Sequence, residues 1–186
     1  MSPLPRKPDK DVFDNQAFFD AVDKRRRELK LSWPKLAAVI WDQSRVLNQL
    51  RPTDHPIATD TIWKMGERGF ISCQHALFLL RWLDVPPETF IAKPREGTAG
   101  VGLPEADETQ RLRWNLRKLY GALNNARMKR GATWQEAAEK LGCTPSQLSG
   151  LRTVKFAIGM ELAMRITQAL GRPAADFIVA RPQKLA

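Results

Sequence analysis

Apolar side chains recur three or four positions apart along most of the chain, the spacing of one face of an α-helix. The clearest stripe consists of Leu112, Leu116, Leu119, Tyr120 and Leu123. A capping pattern at Asp107 and Gln110 predicts that this helix starts there, and Gly131 is expected to end it. The sequence has no run of alternating β-branched residues. We therefore predict an all-α fold.

Two short helices are predicted after this long one. Thr133 and Glu136 have the spacing of a capping box, and Gly142 permits the backbone to reverse after one short helix. Thr144 followed by Pro145 is typical of the start of the next helix. A last helix is predicted over 159–170, so the region reads as helix, glycine turn, helix and closing helix.

The same layout occurs twice in the chain. Each copy has a basic helix, then a hydroxyl residue followed by tryptophan, and finally a Pro-x-x-x-Phe-Ile close. Trp33 and Trp134 differ by 101 positions, whereas the closing Phe90 and Phe177 differ by 87. Because 101 exceeds 87 by 14, the first copy has 14 extra residues between these points. A repeat of small helical units predicts two copies of one small domain.

We accordingly predict two tandem helical bundles, the first copy at 13–92 and the second copy at 107–180. A linker rich in Gly, Pro and small residues separates them at 93–106. An insertion at about 41–57 interrupts the first copy. The ends are predicted to be a flexible basic arm and a short tail, at 1–12 and 181–186.

The charge is strongly positive and unevenly distributed. Thirty Lys and Arg side chains against twenty Asp and Glu give a net charge of +10. Residues 1–95 have 16 basic and 12 acidic side chains, whereas residues 109–186 have 14 basic and 4 acidic ones. Such an excess of positive charge favours a polyanionic partner, with the second copy as the better candidate for contacting it.

Several other classes of function have no support in the sequence. Two cysteines and two histidines, dispersed along the chain, predict no metal site, and there is no pattern for a cofactor or a catalytic group. We expect a protein that is not an enzyme. No apolar run reaches membrane-spanning length, and the thiols are expected to be reduced, which favours a cytoplasmic, nucleoid-associated protein.

Two short helices joined by a glycine turn are the signature of a helix-turn-helix. The stretch TWQEAAEKLGCTPSQLSGLRTVKF, with the following AIGMELAMRITQALG, resembles the lambda-repressor and Cro-like (XRE) family of helix-turn-helix domains. In the first copy, SWPKLAAVI and TDTIWKMGERG are similar to the two motif helices. The resemblance implies a sequence-specific DNA-binding transcriptional regulator, a repressor of bacterial or phage origin, that places its second motif helix in the major groove.

The resemblance also implies which side chains meet DNA. In the second copy these are Trp134, Gln135, Thr144, Pro145, Ser146, Gln147, Ser149, Arg152 and Lys155. In the first copy they are Arg45, Arg51, Thr59, Asp60, Thr61, Trp63, Lys64 and Arg68. The family commonly has Gln where this chain has Trp33 and Trp134. Asp60 is expected to cap its own helix, because a carboxylate there would otherwise repel phosphates.

Three alternatives stay open at the sequence level. The recognition helix of the first copy lies either at 59–69, where Ile62 matches Leu148, or at 46–51, where Leu47 and Leu50 match Leu148 and Leu151. The partner is double-stranded DNA, but a protein-interaction or dimerisation module of anti-activator type, or an RNA-binding protein, is the competing interpretation. The two copies form a pseudo-dimer within one chain, or the chain forms a homodimer.

Overall fold

The computed structural model describes residues 12–153 and 158–181, and it is mostly helical. The helices of these residues are α1 (Asn15–Glu28), α2 (Trp33–Asp42), α3 (Arg45–Leu50), α4 (Thr59–Trp63), α5 (Met65–Arg68), α6 (Cys73–Leu83), α7 (Leu116–Lys129), α8 (Trp134–Leu141), α9 (Pro145–Thr153) and α10 (Met160–Leu170). Short 3-10 turns at Pro87–Phe90 and Ala174–Phe177 close the two copies. The expectation of a mainly helical protein is confirmed. None of the described helices has both the length and the apolar character needed to cross a membrane.

The expected helix start at Asp107 is wrong. Residues 107–110 form a turn, in which Gln110 N donates to Asp107 O at 3.2 Å. A strand follows, β1 (Arg111–Trp114), and pairs antiparallel with β2 (Ile178–Arg181). The helix begins only at Leu116, where the Asn115 side chain accepts from Lys118 N. Leu112 is buried as expected, but as part of a strand too short to show an alternating pattern.

The two copies begin and close in the same way. In the first copy, Phe13 forms an antiparallel bridge with Ile91, and Asp14 N donates to Phe90 O at 2.8 Å. In the second copy, the β1–β2 ladder takes the place of that bridge, and Asn115 N donates to Phe177 O at 2.7 Å. The residue that caps the first helix of each copy is thus tied to the closing turn of the same copy.

The junction between the copies is self-complementary. Ser72 and Gly159, which precede α6 and α10, form an antiparallel bridge. Cys73 N donates to Ile158 O, and Met160 N donates to Ile71 O, both at 2.9 Å. All three pairs of equivalent residues differ by 87 positions, so each copy uses the same backbone groups against the other. Such an isologous contact is what a two-fold axis through the junction requires.

The packing of the first copy distinguishes α3 from α4 and α5. Helix α4 contacts α2 and helix α5 contacts α1, as α9 contacts α8 and α7 in the second copy. Ile62 and Met65 on α4 and α5 are 0% and 2% exposed, whereas Leu50 on α3 is 58% exposed. Helices α4 and α5 therefore occupy the place that α9 has in the second copy, and α3 belongs to the insertion.

Alanine substitutions separate these two alignments in solution. We expect Ile62→Ala to lower the free energy of unfolding by about 2–5 kcal/mol, because a fully buried aliphatic side chain is lost. Leu50→Ala is expected to stay within about 0.5 kcal/mol of the original protein. Urea unfolding measures both. Equal losses would instead favour the alignment that matches Leu50 with the buried Leu151.

The linker lies against both copies. Arg95 N donates to the Gln168 side chain at 2.6 Å, and the fully buried Thr98 hydroxyl accepts from Gln168 Nε2 at 3.1 Å. At its other end, the Arg81 guanidinium on α6 donates to the carbonyls of Ala106, Asp107 and Gln110. The buried apolar residues of both copies form one continuous cluster.

A buried carboxylate joins the two closing turns. Glu88 is 4% exposed, and its Oε1 accepts from Ala174 N at 2.7 Å while Oε2 is buried without a partner in the described residues. Burial raises the pKa of Glu88, although hydrogen bonds from the backbone of Ala174 and of Glu88 itself oppose the shift. A raised pKa in the folded state means that the folded protein binds this proton more tightly than the unfolded chain.

Glu88→Gln is therefore expected to stabilise the protein as the pH rises. Below about pH 4.3, the ordinary pKa of Glu, both side chains are neutral and the two proteins should melt alike. Above it, and until the raised folded pKa is passed, the original protein loses stability relative to the variant. The melting temperature of the variant should therefore exceed that of the original protein by an amount that grows with pH over this range. Thermal unfolding between pH 4 and 8 measures the difference in melting temperature between the original protein and Glu88→Gln. Glu67→Gln, at an exposed position, is the control. A difference in melting temperature that does not change with pH would contradict the expectation.

Candidate nucleic-acid interface

Local hydrogen bonds position the two motif helices of the second copy. Thr133 and Glu136 form the predicted capping box at the start of α8. Gly142 ends α8 in the left-handed region at φ 64°, and Cys143 N reaches back to Ala138 O at 3.0 Å. Thr144 and Gln147 then cap each other at the start of α9, with Gln147 Oε1 accepting from Thr144 N at 2.9 Å. These residues confirm the predicted helix, glycine turn and helix.

Helix α9 divides into a buried side and an exposed polar side. Leu148 and Leu151 are fully buried. The exposed positions include Thr144 just before the helix and, on the helix, Ser146, Gln147, Ser149, Arg152 and Thr153. Ser149 Oγ is turned back to Ser146 O at 3.1 Å, and Pro145 is half-buried. Of the four positions that the resemblance places against the bases, Ser146 and Ser149 are exposed, Pro145 is half-buried and Gly150 is buried. Lys155 lies outside the described residues.

Trp134 is part of a three-layer stack that recurs in both copies. Its ring lies between Tyr120, at a centroid distance of 5.3 Å, and the Arg127 guanidinium at 4.7 Å. In the first copy Trp33 lies between Phe19 at 5.8 Å and Arg26 at 4.3 Å. Each member of one stack differs from its counterpart by 101 positions.

Hydrogen bonds fix the arginine of each stack. Arg127 Nη1 donates to Ala132 O, and Arg26 Nη1 donates to Leu31 O, both at 2.7 Å. The ring faces of both tryptophans are therefore used to attach the first helix of each copy to the second. Gln135, the neighbour of Trp134, is exposed and donates to Glu139 Oε1 at 2.9 Å.

The candidate residues of the first copy pair with one another. The Asp60 carboxylate accepts from Trp63 Nε1 at 3.1 Å and from Lys64 Nζ, and these bonds hold the pKa of Asp60 below its usual range. The expectation that Asp60 caps its helix is wrong, because α4 starts after Ala58 without a side-chain cap. Thr59 and Thr61 are half-buried, and Arg68 is exposed. The exposed surface of α4 thus carries an acidic group, unlike that of α9.

Arg45 and Arg51 are engaged elsewhere. Arg45 Nε donates to Glu108 Oε2 at 2.8 Å, in an exposed pair between α3 and the start of the second copy. Arg51 Nη1 lies 3.4 Å from Asp54 Oδ2. Both arginines belong to the insertion, so the structure does not bring them together with the candidate residues of α4 and α5.

The sequence interpretation missed one exposed aromatic side chain at the junction. Phe70 is 53% exposed, and a Cβ atom on Gly159 would lie 2.5 Å from its ring. The available signal was a large apolar residue directly after Gly69, which ends α5 in the left-handed region. The equivalent position in the second copy, 87 residues later, is Ala157.

The described residues place no group of three or more His, Cys, Asp or Glu side chains where it could hold a metal ion. The chain matches no protein-family model, no curated protein and no solved structure.

Proposed function

We propose that this protein is a sequence-specific DNA-binding transcriptional regulator, with two lambda-repressor-like helix-turn-helix bundles that act as a pseudo-dimer within one chain. In the second copy α8 and α9 are the motif helices, and in the first copy α2 is followed by α4 and α5. The net charge of +10 favours the phosphate backbone as partner.

The observation that carries the proposal is the self-complementary junction at Ser72 and Gly159. Helix α5 ends at Arg68 and α9 ends at Thr153, each a few residues before this bridge. In our proposal, a two-fold axis at this bridge relates the two candidate recognition elements. Dimeric helix-turn-helix proteins use such symmetry to read two half-sites about 34 Å apart, one helical turn of DNA.

The two copies contribute unequally in this proposal. Helix α9 presents Arg152 with small hydroxyl side chains and no acidic group. Helix α4 presents Asp60, whose charge is balanced by Lys64, the residue between α4 and α5. The second copy therefore supplies most of the phosphate contacts. The first copy, connected to it through the junction, sets the position of the second copy along the DNA.

A protein-interaction module would require a different surface. We would expect exposed apolar side chains around α9, since protein interfaces have apolar centres. The large apolar side chains that are exposed among the described residues are Leu29, Val39, Leu50, Phe70, Val101 and Met128, none of them on α9. Trp41 in the insertion is packed, stacking on Phe78 and against the Arg111 guanidinium.

Selection of bound fragments from genomic DNA tests the proposal. We expect recovered fragments to share two half-sites about one helical turn apart, and binding to weaken steeply with salt. Gel shifts of the full chain with a recovered site, a random duplex and a duplex RNA of equal length measure specificity. Failure to bind any duplex at low salt, or preference for the RNA, would overturn the proposal.

A further inference from the structure

Phe70 lies beside the Ser72–Gly159 bridge, where we propose the two-fold axis. It lies two residues before Ser72, whose backbone forms the bridge with Gly159. Its ring covers Gly159, where any larger residue would collide with it at 2.5 Å, yet the side chain is 53% exposed. The structure thus holds a half-exposed aromatic ring at the junction between the two copies.

The exposed side of the junction can be identified from its buried side. Ile71 and Cys73 are 3% and 0% exposed, and their counterparts Ile158 and Met160 are 4% and 0% exposed. Helices α6 and α10 both start at the junction and contact each other. The core therefore lies on the α6–α10 side, and Phe70 points away from it, next to the exposed end of α5 at Arg68.

The geometry of DNA determines what such a side chain would meet. When two major-groove half-sites one turn apart face a protein, the minor groove faces it halfway between them. A residue on the two-fold axis is therefore opposite the minor groove at the central base step. Apolar side chains inserted there partly unstack the bases and kink the duplex toward the major groove.

We infer that Phe70 is an intercalating wedge that enters the minor groove at the central base step of the bound site and kinks it. This inference rests on the proposed function and adds a residue and a DNA deformation to it. In the second copy, the residue at the position equivalent to Phe70 in the sequence is Ala157, not an aromatic residue. The site should favour a flexible pyrimidine–purine step at its centre, since such steps unstack most easily.

The test uses the full chain and a duplex recovered by the selection, with 2-aminopurine at the central step and a fluorophore pair at the ends. For the original protein we expect a rise in 2-aminopurine fluorescence at the centre, no rise when the probe is moved to a half-site, and a shortened end-to-end distance. Phe70→Ala should lose both signals, whereas Phe70→Leu, which keeps an apolar wedge, should retain them. Leu29→Ala, at an exposed apolar residue that follows α1, is the matched control and should change neither.

The outcomes separate the two proposals. If the original protein binds the duplex without central unstacking or bending, the wedge is refuted and the proposed function stands. If Phe70→Ala unstacks and bends DNA as the original does, the wedge is likewise refuted. If the original protein binds no duplex, the proposed function fails and the wedge with it. Thermal unfolding of each variant verifies its fold, and Phe70→Leu, which should keep both signals, guards against a loss caused by misfolding of Phe70→Ala.

Discussion

Arg111→Met is expected to lower the free energy of unfolding by about 1–3 kcal/mol, because Asn48 and Asp54, whose side chain is 25% exposed, lose hydrogen bonds from a buried charged donor. Arg111 is 5% exposed, and its guanidinium donates to Asp54 Oδ2 at 2.7 Å and to Asn48 Oδ1 at 2.6 Å. It also lies 4.4 Å from the centre of the Trp41 ring. Methionine preserves apolar contact with Trp41 but leaves Asp54 with only the longer contact to Arg51. The loss should show as a lower urea midpoint with an unchanged slope.

Arg45→Met is the matched control for this prediction. Arg45 also connects the insertion to the start of the second copy, but its side chain is 65% exposed and that of its partner Glu108 is 49% exposed. Exposed pairs contribute about 0–1 kcal/mol, so this variant should unfold almost as the original does. If both variants lose a similar free energy of unfolding, the buried contacts of Arg111 are not the main attachment of β1 to the insertion.

Arg152→Glu is expected to have the largest effect on DNA binding. It reverses the charge of an exposed residue on α9, the helix that we propose enters the major groove. Each lost phosphate contact should lower the slope of log affinity against log salt by about 0.9, and a repelling carboxylate should weaken binding at low salt roughly ten-fold or more. Gel shifts of the selected duplex across a salt series measure both quantities.

Two further charge reversals calibrate that result. Arg68→Glu alters an exposed residue of the first copy and should flatten the salt slope less, because we propose that the second copy supplies most of the phosphate contacts. Arg45→Glu makes the same charge change in the insertion and should leave the slope near its original value. If all three variants weaken binding equally, the effect is one of net charge and the unequal division between the copies is wrong.

Several helix boundaries set by neighbouring residues were predictable, although the capping pattern at Asp107 and Gln110 did not start a helix. The capping box at Thr133, the left-handed Gly142 and the start of α10 after Gly159 all agree with the sequence interpretation. Each depends on hydrogen bonds or backbone freedom within four or five residues of the boundary. The three-layer stacks were not predicted, although their members repeat at 101 positions, because spacing does not show which aromatic rings and guanidinium groups meet.

The candidate site was less predictable than the helices that carry it. The Asp60 carboxylate can accept hydrogen bonds from the backbone, as a helix cap, or from nearby side chains. In the structure it accepts from Trp63 and Lys64. The resemblance implies a phosphate contact for Arg45, whereas in the fold Arg45 pairs with Glu108, a residue 63 positions away. Such long-range partners depend on how the linker returns across the first copy.

The sequence by itself determined that the chain is mainly helical, that its layout repeats, and that positive charge is concentrated in the second copy. Periodicity, local caps and composition are properties of short segments, so they do not need the folded chain. Only the tertiary structure decided that α4 and α5, rather than α3, correspond to α9, and that residues 111–114 form a strand with 178–181. It also decided that Ser72 pairs with Gly159, because backbone groups 87 residues apart pair only once both copies have packed.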